Sequence, residues 1–110
     1  MQSITLTDKP EAARNLEEPI PLFFLGQIVA TSAALACLDQ STSTIEMLLK
    51  RHQTGDWGNV HHEDASANNF AINAGLRIIS SYALEETGQI IWIITEANRS
   101  VTTLLLPDDY

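Results

Sequence analysis

The stretches LRIISSYAL (76–84), QIIWIITEA (89–97) and VTTLLLP (101–107) decide the fold, because each has the composition of a β-strand. They are rich in β-branched and aromatic residues, alternate with period two and are bounded by turn residues. The connections EETG (85–88) and NRS (98–100) are short, and Gly88 supplies the left-handed residue that a hairpin loop requires. The sequence therefore predicts an antiparallel β-meander at the C-terminal end.

The second strand of the meander should lie in the middle of the sheet. Residues 90–94 are apolar on both faces of the strand, which is typical of a strand covered on two sides. The side chains that we expect to be largely buried are Ile91, Trp92, Ile93, Leu104 and Phe70. These residues form the predicted core.

Ahead of the meander, LFFLGQIVAT (22–31) could add a fourth strand, with a bend at Gly26. Thr31 or Ser32 can then cap a short helix. Cys37, which lies in that helix, is expected to be a small buried apolar residue, since nothing basic flanks it.

A second helix is indicated by a capping box over residues 43–46, with Ser43 as the N-cap and Glu46 reaching back. The residues that share its apolar face are Ile45, Leu48, Leu49 and His52. His52 is therefore either a satisfied core residue or a residue that faces a site between helix and sheet.

A third helix is predicted from about Glu63 to Ala74, with Gly75 as its left-handed stop. The residues expected on its buried face are Ala67, Phe70, Ala71 and Ala74, whereas Asn68, Asn69 and Asn73 should decorate its other faces. Between the second and third helices, Trp57 is expected either to plug one end of the core or to stack on a ligand.

Together these patterns predict one α+β domain over residues 20–110. About three helices should pack on one face of a three- or four-stranded antiparallel sheet. Residues 1–19 mix charge and proline without an apolar period, so they are expected to form a poorly ordered N-terminal arm.

The amino-acid composition argues against several classes of function. Fourteen acidic against six basic side chains give a net charge of −8 with histidine neutral, which disfavours direct binding to DNA, RNA or anionic membranes. A single cysteine excludes an internal disulfide, and no apolar run approaches the roughly 20 residues of a membrane helix. The sequence predicts a cytoplasmic protein with no cofactor and no metal, since His61-His62-Glu63-Asp64 lacks further ligands and its side chains diverge on a helix.

Several motifs occur in a specific order: GDWG (55–58), a helix containing Asn68, RIISSY (77–82), IWIITEANRS (91–100) and TTLLLP (102–107). In this order they resemble a family of small bacterial proteins of unassigned function, found on plasmids and other mobile elements. The resemblance covers about residues 22–110. Where the family pattern has TEADR, this chain has Asn98 in place of the acidic residue. The resemblance implies a setting and supplies no catalytic residue.

The sequence leaves two functions open. The first is a small acidic accessory protein of a mobile element that binds a protein partner, such as one with a basic, nucleic-acid-binding surface. The contact candidates are Trp57, His61, Tyr82 and Arg99. Two copies could also pair through an uncovered strand edge. The second is a metal-independent ribonuclease or toxin of barnase-like or RelE-like architecture, in which His52, Arg77, Glu96 and Arg99 would act together.

Overall fold

The computed structural model of the protein describes residues 20–110, so the predicted arm over residues 1–19 lies outside the described residues. The elements, in chain order, are β1 (Gln27–Ala30), α1 (Ser32–Asp39), α2 (Ile45–Gln53), α3 (His62–Ala74), β2 (Ile78–Ala83), β3 (Ile90–Thr95), β4 (Val101–Leu105) and a final 3-10 helix (Pro107–Asp109). The α+β class is confirmed. No helix in this part of the chain is both long and apolar enough to cross a membrane.

The four strands form one sheet in the order β1-β4-β3-β2. The antiparallel meander is confirmed, because β3 pairs antiparallel with both β2 and β4. The prediction of a purely antiparallel sheet is wrong, since β1 runs parallel to β4, with Gln27 opposite Val101 and Ala30 opposite Leu104. In the sequence, the three helices lie between β1 and the meander. A connection of this length allows β1 to run either parallel or antiparallel to its neighbour.

The main core lies against the face of the sheet that carries Ile91, Ile93 and Leu104, all fully buried as predicted. The helical residues that pack in the same cluster are Ala34 and Leu38 of α1 and Leu48 and Leu49 of α2. The packing of all three helices on one face stays a prediction.

Two of the residues predicted to be buried in the core are not. Trp92 is half-buried, because it points to the opposite face of β3 from Ile91 and Ile93. Phe70 is 67% exposed, because α3 turns Asn68 inward beside Ala71, which is buried as predicted. The predicted buried face of α3 is thus correct for Ala71 and wrong for Ala67, Phe70 and Ala74, which are exposed.

The helix ends follow from local hydrogen bonding. Thr31 caps α1 as predicted, accepting from the N–H of Ala34 at 3.1 Å. Thr44, and not Ser43, caps α2 by accepting from the N–H of Met47 at 3.1 Å. The N–H of Ser43 instead donates to the hydroxyl of Ser41, so the chain enters the helix one residue later. Gly75 ends α3 in the left-handed conformation, as predicted.

The outer edge of β2 is covered by chain segments that are not strands. Ser81 donates its N–H to the carbonyl of Trp57 at 3.0 Å and accepts from the N–H of Asn59 at 2.6 Å. Gly58 can approach this closely because it has a positive φ and no Cβ. The loop before α3 is thereby fixed to the sheet.

Candidate functional site

A cleft of about 560 Å³ opens beside the face of the sheet that carries Trp92. Its lining combines an apolar base with a polar rim. The lining residues are Asn59, Val60, His61, Asp64, Ala67, Asn68, Arg77, Ile79, Ser81, Trp92, Ile94 and Tyr110.

The base of the cleft is a direct result of strand alternation. In the β2–β3 register, Ile79 lies opposite Ile94 and Ser81 lies opposite Trp92, so these four side chains share one face. The opposite face carries the main core. The strands thus supply both the core and the cleft from alternate positions.

The polar rim comes from the start of α3. His61 occupies the N-cap position of the helix without making a side-chain cap, and both His61 and Asp64 are exposed. The loop that leads into α3 is held to β2 at Ser81, and Asn68 binds the backbone of Ile79. The backbone that carries the imidazole of His61 and the carboxylate of Asp64 is therefore held beside the apolar base.

An aromatic and cationic corner closes the other side of the cleft. The 3-10 helix leads to Tyr110, whose ring meets Trp92 edge-on with centroids 5.9 Å apart. Arg77 donates from Nη2 to the hydroxyl of Tyr110 at 2.8 Å and lies 5.8 Å from the centre of that ring. This corner offers aromatic surface, a phenol and a guanidinium to a bound group.

A separate polar network is buried in the core around His52. Its Nδ1 lies 2.5 Å from the hydroxyl of Ser80, and its Nε2 lies 2.9 Å from the hydroxyl of Thr95. Thr95 is 2.7 Å from the hydroxyl of Thr102, which donates to the carbonyl of Leu25 at 2.7 Å. All four side chains of this network are fully buried.

The direction of each hydrogen bond in this network follows from the bond at its end, in which the hydroxyl of Thr102 donates to the carbonyl of Leu25. Since Thr102 donates to a carbonyl, it must accept from Thr95, and Thr95 must accept from the Nε2–H of His52. Nδ1 is then free to accept from Ser80. Burial, and to a lesser degree the charge of Arg99, lowers the pKa of His52 to about 3, so the ring is neutral.

The Ser80–His52 contact looks like a nucleophile with its base, but it cannot serve as one. Both side chains have no exposed surface, so no substrate reaches Ser80 in this conformation. The network satisfies buried polar groups within the core. The sequence left two interpretations of His52 open, and the first is the one observed: His52 is a core residue whose ring nitrogens both have hydrogen-bond partners.

The four residues of the ribonuclease hypothesis do not meet in one place. Arg77 lines the cleft, His52 lies in the core, and Glu96 follows the end of β3. Arg99 donates from Nη1 to the carbonyl of Leu76 at 2.7 Å and from Nη2 to that of Ala71 at 2.8 Å. Arg99 is thus occupied by backbone carbonyls at the end of α3.

Of the four predicted contact residues, His61 alone lines the cleft. Trp57 is 6% exposed and stacks on Phe23, with centroids 6.3 Å apart. Tyr82 is 1% exposed and donates its hydroxyl to the carbonyl of Asp56 at 2.7 Å. Trp57 and Tyr82 are therefore core residues, and Trp57 packs in a second buried cluster with Phe23.

The cleft residues that the sequence analysis did not propose for a site include Asp64, Trp92 and Tyr110. One signal was present for Trp92, because strand alternation sets it opposite Ile91 and Ile93. Nothing local indicated Tyr110, which the last turn of the chain brings to the sheet.

Comparisons with protein-family models, curated proteins and solved structures found no match to this chain. The resemblance to the mobile-element family stays a prediction. Within residues 20–110, no group of three or more histidine, cysteine or acidic side chains is arranged to hold a metal ion.

Proposed function

We propose that the protein is a small acidic binding protein that acts by protein–protein interaction and serves as an accessory protein of a bacterial mobile element. Its partner presents a basic surface of the kind that binds nucleic acid. The observation that carries this proposal is the cleft, which Asp64 and Trp92 both line, on a chain of net charge −8.

The chemistry of the cleft suits a cationic side chain. An aromatic ring attracts an arginine or lysine placed over its face, and a carboxylate beside the ring adds a charge-assisted hydrogen bond. The ring of Tyr110 already carries Arg77, so Trp92 and Asp64 are the groups left for a partner. The apolar base formed by Ile79 and Ile94 would take the methylene stem of the same side chain.

The net charge of the whole chain also favours a basic protein as the partner. A net charge of −8 raises the encounter rate with a basic protein and lowers it with nucleic acid. The mobile-element setting rests on a different ground, namely the resemblance of GDWG, RIISSY and TTLLLP to that family.

A tryptophan titration tests the proposal. Trp57→Phe removes the core indole and leaves Trp92 as the single tryptophan, so its fluorescence reports on the cleft. We expect an arginine-rich peptide to change this fluorescence in a saturable way that weakens with added salt, and a polyglutamate peptide to have no effect.

Matched variants locate the binding. Asp64→Asn should weaken peptide binding about fivefold, corresponding to roughly 1 kcal/mol. Asp39→Asn removes the same charge from the exposed end of α1 and should change the affinity much less. No binding, or equal effects of both variants, would contradict a role for the cleft.

A ribonuclease is the second candidate, and one observation favours it: Arg77 and His61 line the same cleft. These residues could stabilise a phosphate and transfer a proton, although the chain's own field opposes RNA binding. Chelator-resistant cleavage of mixed RNA would replace the binding proposal if Arg77→Ala and His61→Gln abolish it and Arg51→Ala does not.

A further inference from the structure

The two edge strands of the sheet, β2 and β1, differ in whether other residues cover their outer side. The β2 edge is covered by residues 57–59 and by the side chain of Asn68. The β1 edge is not paired with any of residues 20–110. Gln27 and Thr31 donate their N–H groups toward β4, at 2.9 and 3.0 Å, so by alternation the N–H groups of Ile28 and Ala30 point away from the sheet.

The segment that carries β1 is apolar and contains no charge of its own, although the carboxylate of Asp109 accepts from the hydroxyl of Thr31 just after the strand, at 2.7 Å. Ile28 is 46% exposed and Val29 is 38% exposed, and they point to opposite faces of the strand. Phe24 and Leu35 are exposed in the flanking segments. Residues 19–38 contain no charged side chain, although the chain as a whole is strongly acidic. Natural edge strands usually carry a proline, a lysine or another charged residue, and these residues prevent pairing with a second chain. β1 contains none of them.

We propose that two copies of the chain associate through β1, which pairs antiparallel with its own counterpart to form one continuous sheet. The neutrality of residues 19–38 selects this occupant. A basic partner would be recognised by carboxylates, which this segment lacks, whereas a second acidic copy can approach only through an uncharged surface.

The geometry is compatible with two-fold symmetry. An axis perpendicular to the sheet keeps equivalent faces of the two copies on the same side, so the cores remain aligned. Ile28 and Val29 of one copy then lie beside the same residues of the other, and apolar β-branched pairs stabilise such a contact. The cleft beside β2 lies at the opposite edge and stays open for the partner.

Sedimentation of the full chain over a wide concentration range tests this. We expect a species of twice the chain mass of 12.1 kDa that dissociates on dilution. Ile28→Lys and Val29→Lys should each raise the dissociation constant by more than about tenfold, because each brings two like charges close together on one face of the joined sheet. Phe70→Lys adds the same charge at an exposed apolar residue of α3 and should leave the dissociation constant unchanged.

A second measurement covers the case in which a lysine variant unfolds. Ile28→Cys in a Cys37→Ser background should form an intermolecular disulfide under mild oxidation, and Phe70→Cys in the same background should not. A monomeric mass at every concentration overturns the proposal. This is the result expected if another part of the chain covers β1. A dimer that survives both lysine variants with normal thermal melts also overturns it.

Discussion

The side chain of Asn68 hydrogen-bonds both backbone polar groups of Ile79. Its Nδ2 donates to the carbonyl at 2.8 Å, and its Oδ1 accepts from the N–H at 3.2 Å. A helical residue thus takes the place of a neighbouring strand at the edge of β2. Because Asp64 lies one turn earlier on the same helix, this pairing also fixes the rim of the cleft.

Asn68→Ala should destabilise the protein by about 2 kcal/mol, because it leaves the N–H and the carbonyl of Ile79 without partners at a largely buried site. Urea denaturation measures this cost. Asn73→Ala, at an exposed position of the same helix, should change stability by less than about 0.5 kcal/mol. Equal effects of the two variants would mean that the pairing does not stabilise the fold.

Asn68 also shows where local patterns stop being informative. An asparagine on a helix normally faces water, so Phe70 and Ala67 were predicted to face the core and Asn68 to face solvent. The reverse holds, because α3 meets a strand edge, where free N–H and carbonyl groups need polar partners. The sequence contains the helix but gives no sign that a strand edge lies beside it.

The strands show the same division between local and non-local information. Alternation and turn residues fixed the meander over β2, β3 and β4, and those strands were predicted correctly. The parallel pairing of β1 with β4 joins residues far apart in sequence, as does the contact of Tyr110 with Trp92. The cleft depends on such distant pairings, and so it could not be predicted.

The approach of Gly58 to β2 gives a prediction about sterics. A Cβ at Gly58 would lie 2.0 Å from the carbonyl oxygen of Ser81, at a φ of +76°. Gly58→Ala should therefore cost about 4 kcal/mol or prevent folding. Gly88 has a similar φ of +72° with no atom within 4 Å of the Cβ position, so Gly88→Ala should cost only the roughly 1–2 kcal/mol of left-handed strain.

Comparison of the two glycine variants by chemical denaturation separates the clash from the strain. A Gly58→Ala protein as stable as the Gly88→Ala protein would show that the segment over residues 57–59 can leave β2 at little cost. In that case the loop that carries His61 would not be held to the sheet.

The two tryptophans should differ in their contribution to stability. Trp57 is buried, stacks on Phe23 and donates from Nε1 to Asn69 at 3.2 Å. Trp57→Ala should cost about 3–5 kcal/mol, whereas Trp92→Ala, at the half-buried base of the cleft, should cost about 1–2 kcal/mol. Thermal and urea melts of both variants measure the order. The opposite order would mean that Trp92 is a core residue and the cleft is filled in solution.

His52 should make stability depend on pH. Its pKa is lowered to about 3 in the folded protein, so below about 6.5 the unfolded chain binds a proton that the folded chain does not. Stability is therefore complete above that pH and falls as the pH drops toward 3, by up to about 1.4 kcal/mol per unit. The window from about pH 6.5 to 5.5 is diagnostic, because carboxylates of ordinary pKa remain largely ionised there.

Urea melts across this window test the assignment. His52→Gln removes the titrating group, so its stability should be nearly independent of pH between about 6.5 and 5.5. His62→Gln alters an exposed residue and should keep the slope of the original protein. A slope that survives His52→Gln would assign the pH dependence to another group.

The last prediction separates the two arginines that the ribonuclease hypothesis treated as equivalent. Within residues 20–110 neither arginine forms an ion pair with a glutamate: Arg77 donates to Tyr110, and Arg99 donates to backbone carbonyls. Arg99 holds the end of α3 to the β3–β4 turn, in which it adopts a φ of +61° itself. Arg99→Ala should cost about 2–4 kcal/mol, because charge-assisted hydrogen bonds to carbonyls are lost together.

Arg77→Ala should cost less than about 1 kcal/mol, since Arg77 is exposed and its hydrogen bond goes to an exposed tyrosine. Arg99→Lys should recover only part of the loss, because an ammonium group cannot span the carbonyls of Ala71 and Leu76 as a guanidinium does. Urea melts of the three variants give the comparison. If Arg99→Ala unfolds at the same urea concentration as the original protein, the carbonyl contacts contribute nothing, and Arg99 becomes available as a contact residue for a partner.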